Sequence, residues 1–253
     1  MEGDLVQEKT AAKGSRVISR ILPAAVRLWL QAQVEHVDNL VFELEGRDRE
    51  ILSGYLPGAR VAADRAVYQG LHLSQVQVAA QEIRINLGQV LRGKPLRLQQ
   101  RFPIVGEVVL READLAASLQ APLLQEGLRD FLRQLIAVQG ADHDLRPYLG
   151  ALVEENASFQ VETVAIAPRQ IALTLRPASG AASQPLVLKT DLTVREGHIL
   201  VLQQPSLQVS PETEPLQLDG FDLDLGPEVN IDALNVTSGQ IEINGTVQVV
   251  PAD

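Results

Sequence analysis

Apolar and polar residues alternate along much of the chain, which predicts β-strands with one buried face. The alternation is longest in the stretch Leu71–Leu119, where it predicts a long strand, a basic turn, a second long strand and the start of a helix. Within the first strand the apolar set changes parity twice, from Leu71 and Leu73 to Val76–Ala80 and back at Ile83. Such changes predict β-bulges, and long bulged strands predict a strongly curved sheet.

Apolar residues at helical spacing predict helices between the strands. The helices are expected at about Ser15–His36, Arg47–Tyr55, Glu112–Ala121, Leu123–Val138 and Leu145–Glu155. Further strands are expected at Asp38–Glu45, at Ala59–Tyr68 and in several segments from Ala157 onward, ending in a hairpin of Ile231–Val236 with Ile241–Val249. The pattern predicts one α+β domain over residues 15–253, after a flexible tail at residues 1–14.

The predicted helix Ser15–His36 is amphipathic, and we expect it to lie against the concave apolar face of a long, curved and bulged antiparallel sheet. A groove between a helix and a sheet is a common place for an apolar ligand. The candidate groove residues are Ile21, Ala25, Leu28 and Trp29 on the helix and Ile83, Ile85 and Leu87 on the strand. The same helix, with arginines on one face and Trp29 at the interface, also has the pattern of a surface membrane anchor.

Charge is distributed unevenly along the chain. Residues 151–253 hold 4 basic and 14 acidic residues and carry the whole net charge of −10, because the first 150 residues hold 18 of each sign. Such a chain lacks the basic footprint of a nucleic-acid-binding protein. The exception is the segment from Ile83 to Gly106, which has no carboxylate and contains the cations Arg84, Arg92, Lys94, Arg97 and Arg101. These cations predict a site for an anionic headgroup or membrane surface; the alternative is a solvated strand face.

Motifs for catalysis or for metal binding are absent from the sequence. The chain has no cysteine, which excludes disulfides, and its histidines (His36, His72, His143 and His198) have no ligand spacing. No phosphate-binding glycine loop or nucleophile elbow is present. We therefore expect a protein that is not an enzyme and that uses no cofactor or metal. Neither a transmembrane span nor a signal peptide is evident, which predicts a cytoplasmic or peripheral location.

Three stretches of the chain resemble a known family. They are EIRINLGQVLRGKPLRL, VVLREADLAASLQAPLL and PLQLDGFDLDLGPEVNIDALNVTSGQIEINGTVQV. In this order and spacing, from about Arg27 to Val250, the chain is similar to the LmeA-like family of phospholipid-binding proteins.

The resemblance implies a fold similar to the tubular lipid-binding (BPI-like) modules, with a curved sheet around a long helix and an apolar tunnel or groove. It implies binding of an anionic phospholipid without catalysis, in membrane-lipid upkeep, with an anionic membrane surface as a transient partner. Envelope members of the family carry an export signal or anchor, which this chain does not show; this favours the cytoplasmic face of a membrane. Two alternatives remain: a scaffold with a filled interior that binds a protein partner, and an enzyme acting on lipid or glycan. The oligomeric state is not indicated.

Overall fold

Two antiparallel sheets and five helices make up the described part of the chain, which in this computed structural model comprises residues 34–90, 92–138, 146–153, 159–177, 185–210, 212 and 214–251. The strands are β1 (His36–Glu45), β2 (Tyr55–Tyr68), β3 (Leu71–Arg84), β4 (Phe102–Arg111), β5 (Phe159–Ala167), β6 (Gln170–Pro177), β7 (Leu186–Arg195), β8 (Ile199–Gln208), β9 (Leu216–Gln217), β10 (Phe221–Asp224), β11 (Val229–Thr237) and β12 (Gln240–Val249). The helices are α1 (Asp48–Leu52), α2 (Leu87–Val90), α3 (Glu112–Ser118), α4 (Pro122–Val138) and α5 (Arg146–Val153).

The first four strands and the last two form one sheet, and the strands between them form the other. The first sheet has the order β1-β2-β3-β4-β12-β11, so the closing hairpin returns to pair with β4. The second sheet has the order β10-β8-β7-β6-β5, with β9 paired to β8. The α+β class and the closing hairpin are therefore confirmed. The expectation of one continuous sheet is wrong, because the hydrogen bonds of β4 go to β12 and not to β5.

The apolar side of β3 changes near Glu82, where its sequence predicts a change, but the predicted bulges in this strand are wrong. β3 pairs with β2 and β4 without any shift of register. Glu82 in β3 has a φ of 55°, and Arg65 in β2 has a φ of 46°, and both values lie in the left-handed region that interrupts the strand pleat. On β3, Val78 and Ile83 line the same cavity although their parity differs.

β2 changes its apolar side near Pro57, at the level where β3 changes, and again near Arg65. Leu56 and Ala59 line one cavity, and Ala63 and Ala66 belong to one buried cluster, although the parity of each pair differs. Because the two strands change face together, the pairing between them stays in register. Register shifts of the bulge type occur instead between β1 and β2, β5 and β6, β7 and β8, and β11 and β12.

Two glycines meet in the middle of the first sheet. Gly106 of β4 pairs with Gly245 of β12. A Cβ on Gly106 would lie 2.1 Å from the carbonyl oxygen of Gln77, and a Cβ on Gly245 would lie 2.4 Å from that of Asn230. Glycine inside a strand marks a tight bend or a close approach of neighbouring backbone. These positions therefore let neighbouring strands approach more closely than a side chain would permit.

The largest apolar core lies on the second sheet. It joins this sheet to α4, α5 and the closing hairpin, and its fully buried leucines are Leu132, Leu135, Leu149, Leu175 and Leu207. The first sheet has two smaller clusters. One is formed by Ile51, Leu56, Ile83, Ile85, Leu87 and Phe102, and the other by Leu40, Ala63 and Ala66.

Helix α3 connects the two sheets through hydrogen bonds. The Glu112 carboxylate accepts a hydrogen bond of 2.7 Å from the backbone N–H of Ile166, at the end of β5. The Asp114 carboxylate accepts one from the hydroxyl of Ser74 on β3, and the buried Ser118 hydroxyl accepts one from the backbone of β3. The EADL motif that contributes to the family resemblance is thus a structural connection between the sheets.

Several sequence-based expectations differ from the structure or lie outside it. The predicted tail 1–14 and all but the last residues of the predicted helix Ser15–His36 lie outside the described residues, and His36 is the first residue of β1. Among the strand segments expected from Ala157 onward, the alternating stretch Leu216–Leu225 forms two short strands, β9 and β10, and not one long strand. The assignment of residues 15–253 to one domain stays a prediction. Among the described helices, none is long and apolar enough to cross a membrane.

Candidate functional site

An apolar cavity of about 230 Å³ lies on the first sheet. Every residue that lines it has an aliphatic or aromatic side chain. They are Phe42, Leu56, Ala59, Val61, Val78, Ala79, Ala80, Ile83, Ile85, Leu96, Leu98, Phe102, Ile104 and Val249. A cavity of this size without polar partners does not hold ordered water and can accept an apolar molecule.

The changes of face in β2 and β3 bring the lining residues together. Val78 and Ala80 lie on one side of the left-handed residue Glu82, and Ile83 lies on the other. In a strand of strict alternation these residues would face opposite sides of the sheet. The irregularity therefore extends one apolar surface around the end of β3, and Leu56 continues it on β2.

The segment between β3 and β4 forms the wall of the cavity at one end. It contains the basic turn that the sequence predicts, but the helical turn α2 precedes that turn and an extended chain follows it. The buried Asn86 fixes this return. Its Oδ1 accepts a hydrogen bond of 2.7 Å from the N–H of Arg97, and its Nδ2 donates one of 3.0 Å to the carbonyl of Pro95. Leu96 and Leu98 are thereby held against the cavity.

The predicted cations surround the outside of this wall. Arg84, Arg92, Lys94, Arg97 and Arg101 are all exposed, and none of them forms an ion pair with a described residue. Arg84 lies over the ring of Tyr55, with its Cζ atom 5.2 Å from the ring centroid. Arg97 lies between the lining residues Leu96 and Leu98. These charges are therefore available to a surface outside the cavity.

Two basic residues of β2 are paired with carboxylates. Arg60 lies 2.9 Å from Glu45, and Arg65 lies 2.5 Å from Asp38. The hydrogen bond from Arg65 lowers the pKa of the Asp38 carboxyl. This pairing distinguishes Arg60 and Arg65 from the cations of the exposed basic segment.

The predicted groove residues have different places in the structure. Ile83 and Ile85 line the cavity, whereas Leu87 is buried in the adjoining cluster and is not part of the lining. The helix residues Ile21, Ala25, Leu28 and Trp29 lie outside the described residues. The contributions of β1, β2, β4 and β12 were not predicted, because a pattern along one strand does not show which strands are its neighbours.

None of the described residues that line this cavity is titratable, and His72 and His198 lie elsewhere. His198 makes a local contact of 2.8 Å between its Nδ1 and the carbonyl of Glu196, and His143 lies outside the described residues. Within the described ranges no group of three His, Asp or Glu residues is placed to bind a metal ion.

Comparison with known proteins gives one match. A family model described as "LmeA-like phospholipid-binding" matches residues 13–246, which is nearly the whole chain. Neither the curated proteins nor the solved structures gave a match.

Proposed function

From the premise that the chain belongs to the LmeA-like phospholipid-binding family, we propose that it binds a phospholipid, without catalysis, by holding an acyl chain in the cavity of the first sheet. The wholly apolar lining of this cavity is the observation that carries the proposal. It offers contact to a chain of methylene groups and no hydrogen bond to a headgroup. The specificity of the cavity is therefore for an aliphatic chain.

The volume of the cavity limits how much of a lipid it encloses. A volume of 230 Å³ corresponds to about eight groups of the size of a water molecule, at ~30 Å³ each. It is also below the range of roughly 300–1,000 Å³ that encloses a drug-sized ligand. The described part of the protein accordingly takes one end of an acyl chain. The rest of the lipid lies along the sheet or outside it.

The exposed basic segment provides the approach to a membrane. A protein with a net charge of −10 is repelled by an anionic bilayer, and one locally positive end overcomes this repulsion. Each Lys or Arg near such a surface contributes about 1 kcal/mol, which salt screens within about 8–10 Å. Arg92, Lys94 and Arg97 would together contribute roughly 2–3 kcal/mol. This suffices for transient docking, as transfer of a lipid between membranes requires, and not for stable residence.

Vesicle binding tests the docking step. Replacing Arg92, Lys94 and Arg97 together by Gln should weaken binding to phosphatidylglycerol vesicles by roughly ten- to a hundred-fold. The matched control replaces Arg133, Arg176 and Arg195 by Gln, which removes the same charge from other elements of the fold. If both triple variants lose binding equally, net charge decides the interaction and the basic segment has no special role.

Native mass spectrometry separates the proposed function from its alternatives. A phospholipid carrier should co-purify with lipid or take up added phosphatidylglycerol, and it should release that lipid chemically unchanged. Turnover of the lipid would instead show an enzyme. A clean apo mass with no uptake would show a scaffold for a protein partner, and the proposal would then be wrong.

A further inference from the structure

A second apolar cavity, of about 210 Å³, lies between the second sheet and helices α3 and α4. Its walls come from Leu115 and Phe131 on the helices, Leu173, Leu192 and Leu200 on the sheet, and Leu223 on β10, with further residues beneath them. All six are incompletely buried. Among the described residues, α4 and α5 thus fill one part of the apolar face of the second sheet, and another part has no cover.

The single polar residue in this lining is unavailable to a ligand. The hydroxyl of Thr190 is buried and donates within the sheet, with the carbonyl oxygens of Asp191 and Gln203 at 3.1 and 3.2 Å. An ordered water molecule needs two to four polar partners, so this cavity does not retain water. Its chemistry is therefore that of a site for hydrocarbon.

The β10 edge of the second cavity carries exposed carboxylates, unlike the basic segment beside the first cavity. Asp222 and Asp224 alternate with the lining residue Leu223 on β10 and are exposed. Arg195 lies 2.5 Å from Asp222, and Asp224 accepts a hydrogen bond of 2.9 Å from the backbone of Gly226. Arg195 thus neutralises Asp222 and does not neutralise Asp224. An anionic headgroup near this edge would meet a carboxylate where the first cavity is surrounded by cations.

The two cavities lie at opposite ends of β4. The first is lined by Ile104, near the start of this strand, and the second by Leu115, in the helix that follows its end. Through Val78 the first cavity reaches the level of Gly106, and with about 3.3 Å for each residue the rest of β4 separates the two linings by roughly 15 Å. Two occupants can therefore be bound independently.

From these observations we propose that the protein has a second hydrocarbon site, between α3, α4 and the second sheet, which takes a single aliphatic chain with an uncharged headgroup. The inference extends the proposed function, since it assigns a second chain to a family that binds phospholipids, but it does not depend on occupation of the first cavity. It divides the molecule into a site that accepts anionic lipids and a site that prefers neutral ones.

Two single-chain probes with the same acyl group test this division in native mass spectrometry. Monopalmitoylglycerol is uncharged, and palmitoyl lysophosphatidylglycerol is anionic. We expect the natural protein to bind two copies of the uncharged probe and one copy of the anionic probe. Leu173→Trp fills the second cavity and should reduce the uncharged probe to one copy while leaving the anionic probe unchanged. Leu192→Phe fills the same cavity by a smaller change and guards against a failure of the first variant to fold.

A variant of the first cavity separates this inference from the proposed function. Ala80→Phe fills the first cavity, and it should abolish binding of the anionic probe and leave one copy of the uncharged probe. If Leu173→Trp and Leu192→Phe, both folded, bind as many copies of the uncharged probe as the natural protein, the second site is refuted. If only Ala80→Phe leaves binding unchanged, the second site stands and the proposed function of the first cavity is wrong.

Discussion

The apolar faces of the two sheets are built from the same kinds of side chain and are used differently. On the second sheet, α4 and α5 fill most of the face, and five leucines there have no exposed surface at all. In the main cluster beside the first sheet, the most buried residues, Leu87 and Ile85, keep 2% and 3% exposure, and a cavity of about 230 Å³ adjoins them. Among the described residues, the second sheet thus carries the largest filled core and only a smaller open part, whereas the first sheet has small clusters around an open cavity.

The contrast shows that aliphatic composition does not distinguish a core from a binding cavity. A core reaches close packing because covering elements insert side chains between the strands. The first sheet carries small residues, such as Ala59, Ala79 and Ala80, where a core would carry larger ones. A surface lined by small residues leaves volume for a ligand. The van der Waals contacts that the empty cavity lacks form when the ligand binds.

The strongest test of the filled core is Leu132→Ala. Leu132 is fully buried in the cluster between α4 and the second sheet. Its truncation should lower the free energy of unfolding by about 3 kcal/mol, because it removes buried methyl groups and leaves a void. Chemical denaturation measures this loss. Lipid uptake by the first cavity should persist in this variant, and a parallel loss of lipid binding would show that the two regions are not independent.

The close approach at the centre of the first sheet is tested by Gly106→Ala. A Cβ at this position would lie 2.1 Å from a backbone oxygen, so the strands must move apart. We expect the free energy of unfolding to fall by roughly 2 kcal/mol, as for other overpacked sites. The control is Gly127→Ala in α4, where a Cβ meets nothing within 4 Å. This control should gain about 0.5–1 kcal/mol, since alanine favours a helix.

The connection between the sheets is tested by Asp114→Ala. This change removes the acceptor of the Ser74 hydroxyl and of the N–H of Arg111, which lies 3.0 Å from Asp114 Oδ2. The expected loss is about 1.5 kcal/mol, since a helix cap and a buried hydrogen bond disappear together. Asp114→Asn keeps an acceptor and should cost less. Equal melting temperatures for the natural protein and Asp114→Ala would contradict this role.

The smallest effect on stability is expected at the cavity itself. Leu98→Ala should lower the free energy of unfolding by about 1 kcal/mol, less than a core leucine, because Leu98 already borders empty space. The same change should enlarge the cavity and alter its affinity for acyl chains of different length. Calorimetric titration with lysophosphatidylglycerols of increasing chain length measures this. A stability loss as large as that of Leu132→Ala would place Leu98 in a filled core.

The sequence predicts local features of the fold better than the contacts between remote segments. The closing hairpin was predictable because its alternating strands flank Ser238 and Gly239, a short turn with local pairing. The return of that hairpin to β4 was not, since Ile241 pairs with Leu110 across more than a hundred residues. No pattern along either strand identifies the other as its neighbour.

The cavity was predictable only in part for the same reason. Ile83 and Ile85 were predicted from the alternation of β3, but Phe42 and Val249 come from strands far away in the sequence. The change of face in β3 was predictable, because its apolar residues move from even to odd positions between Ala80 and Ile83. Its cause was not, because a non-glycine residue such as Glu82 rarely takes a positive φ, and nothing in its side chain indicates one.

Methyl NMR with a chain-labelled phospholipid tests the central claim most directly. A phosphatidylglycerol with a nitroxide near the end of one acyl chain broadens the signals of nearby methyl groups. If the chain enters the first cavity, the methyls of Ile83, Ile85 and Leu98 should broaden, while those of Leu132 and Leu135 in the filled core stay sharp. Unbroadened cavity methyls in the presence of bound lipid, or equal broadening in both regions, would contradict a cavity that holds the acyl chain.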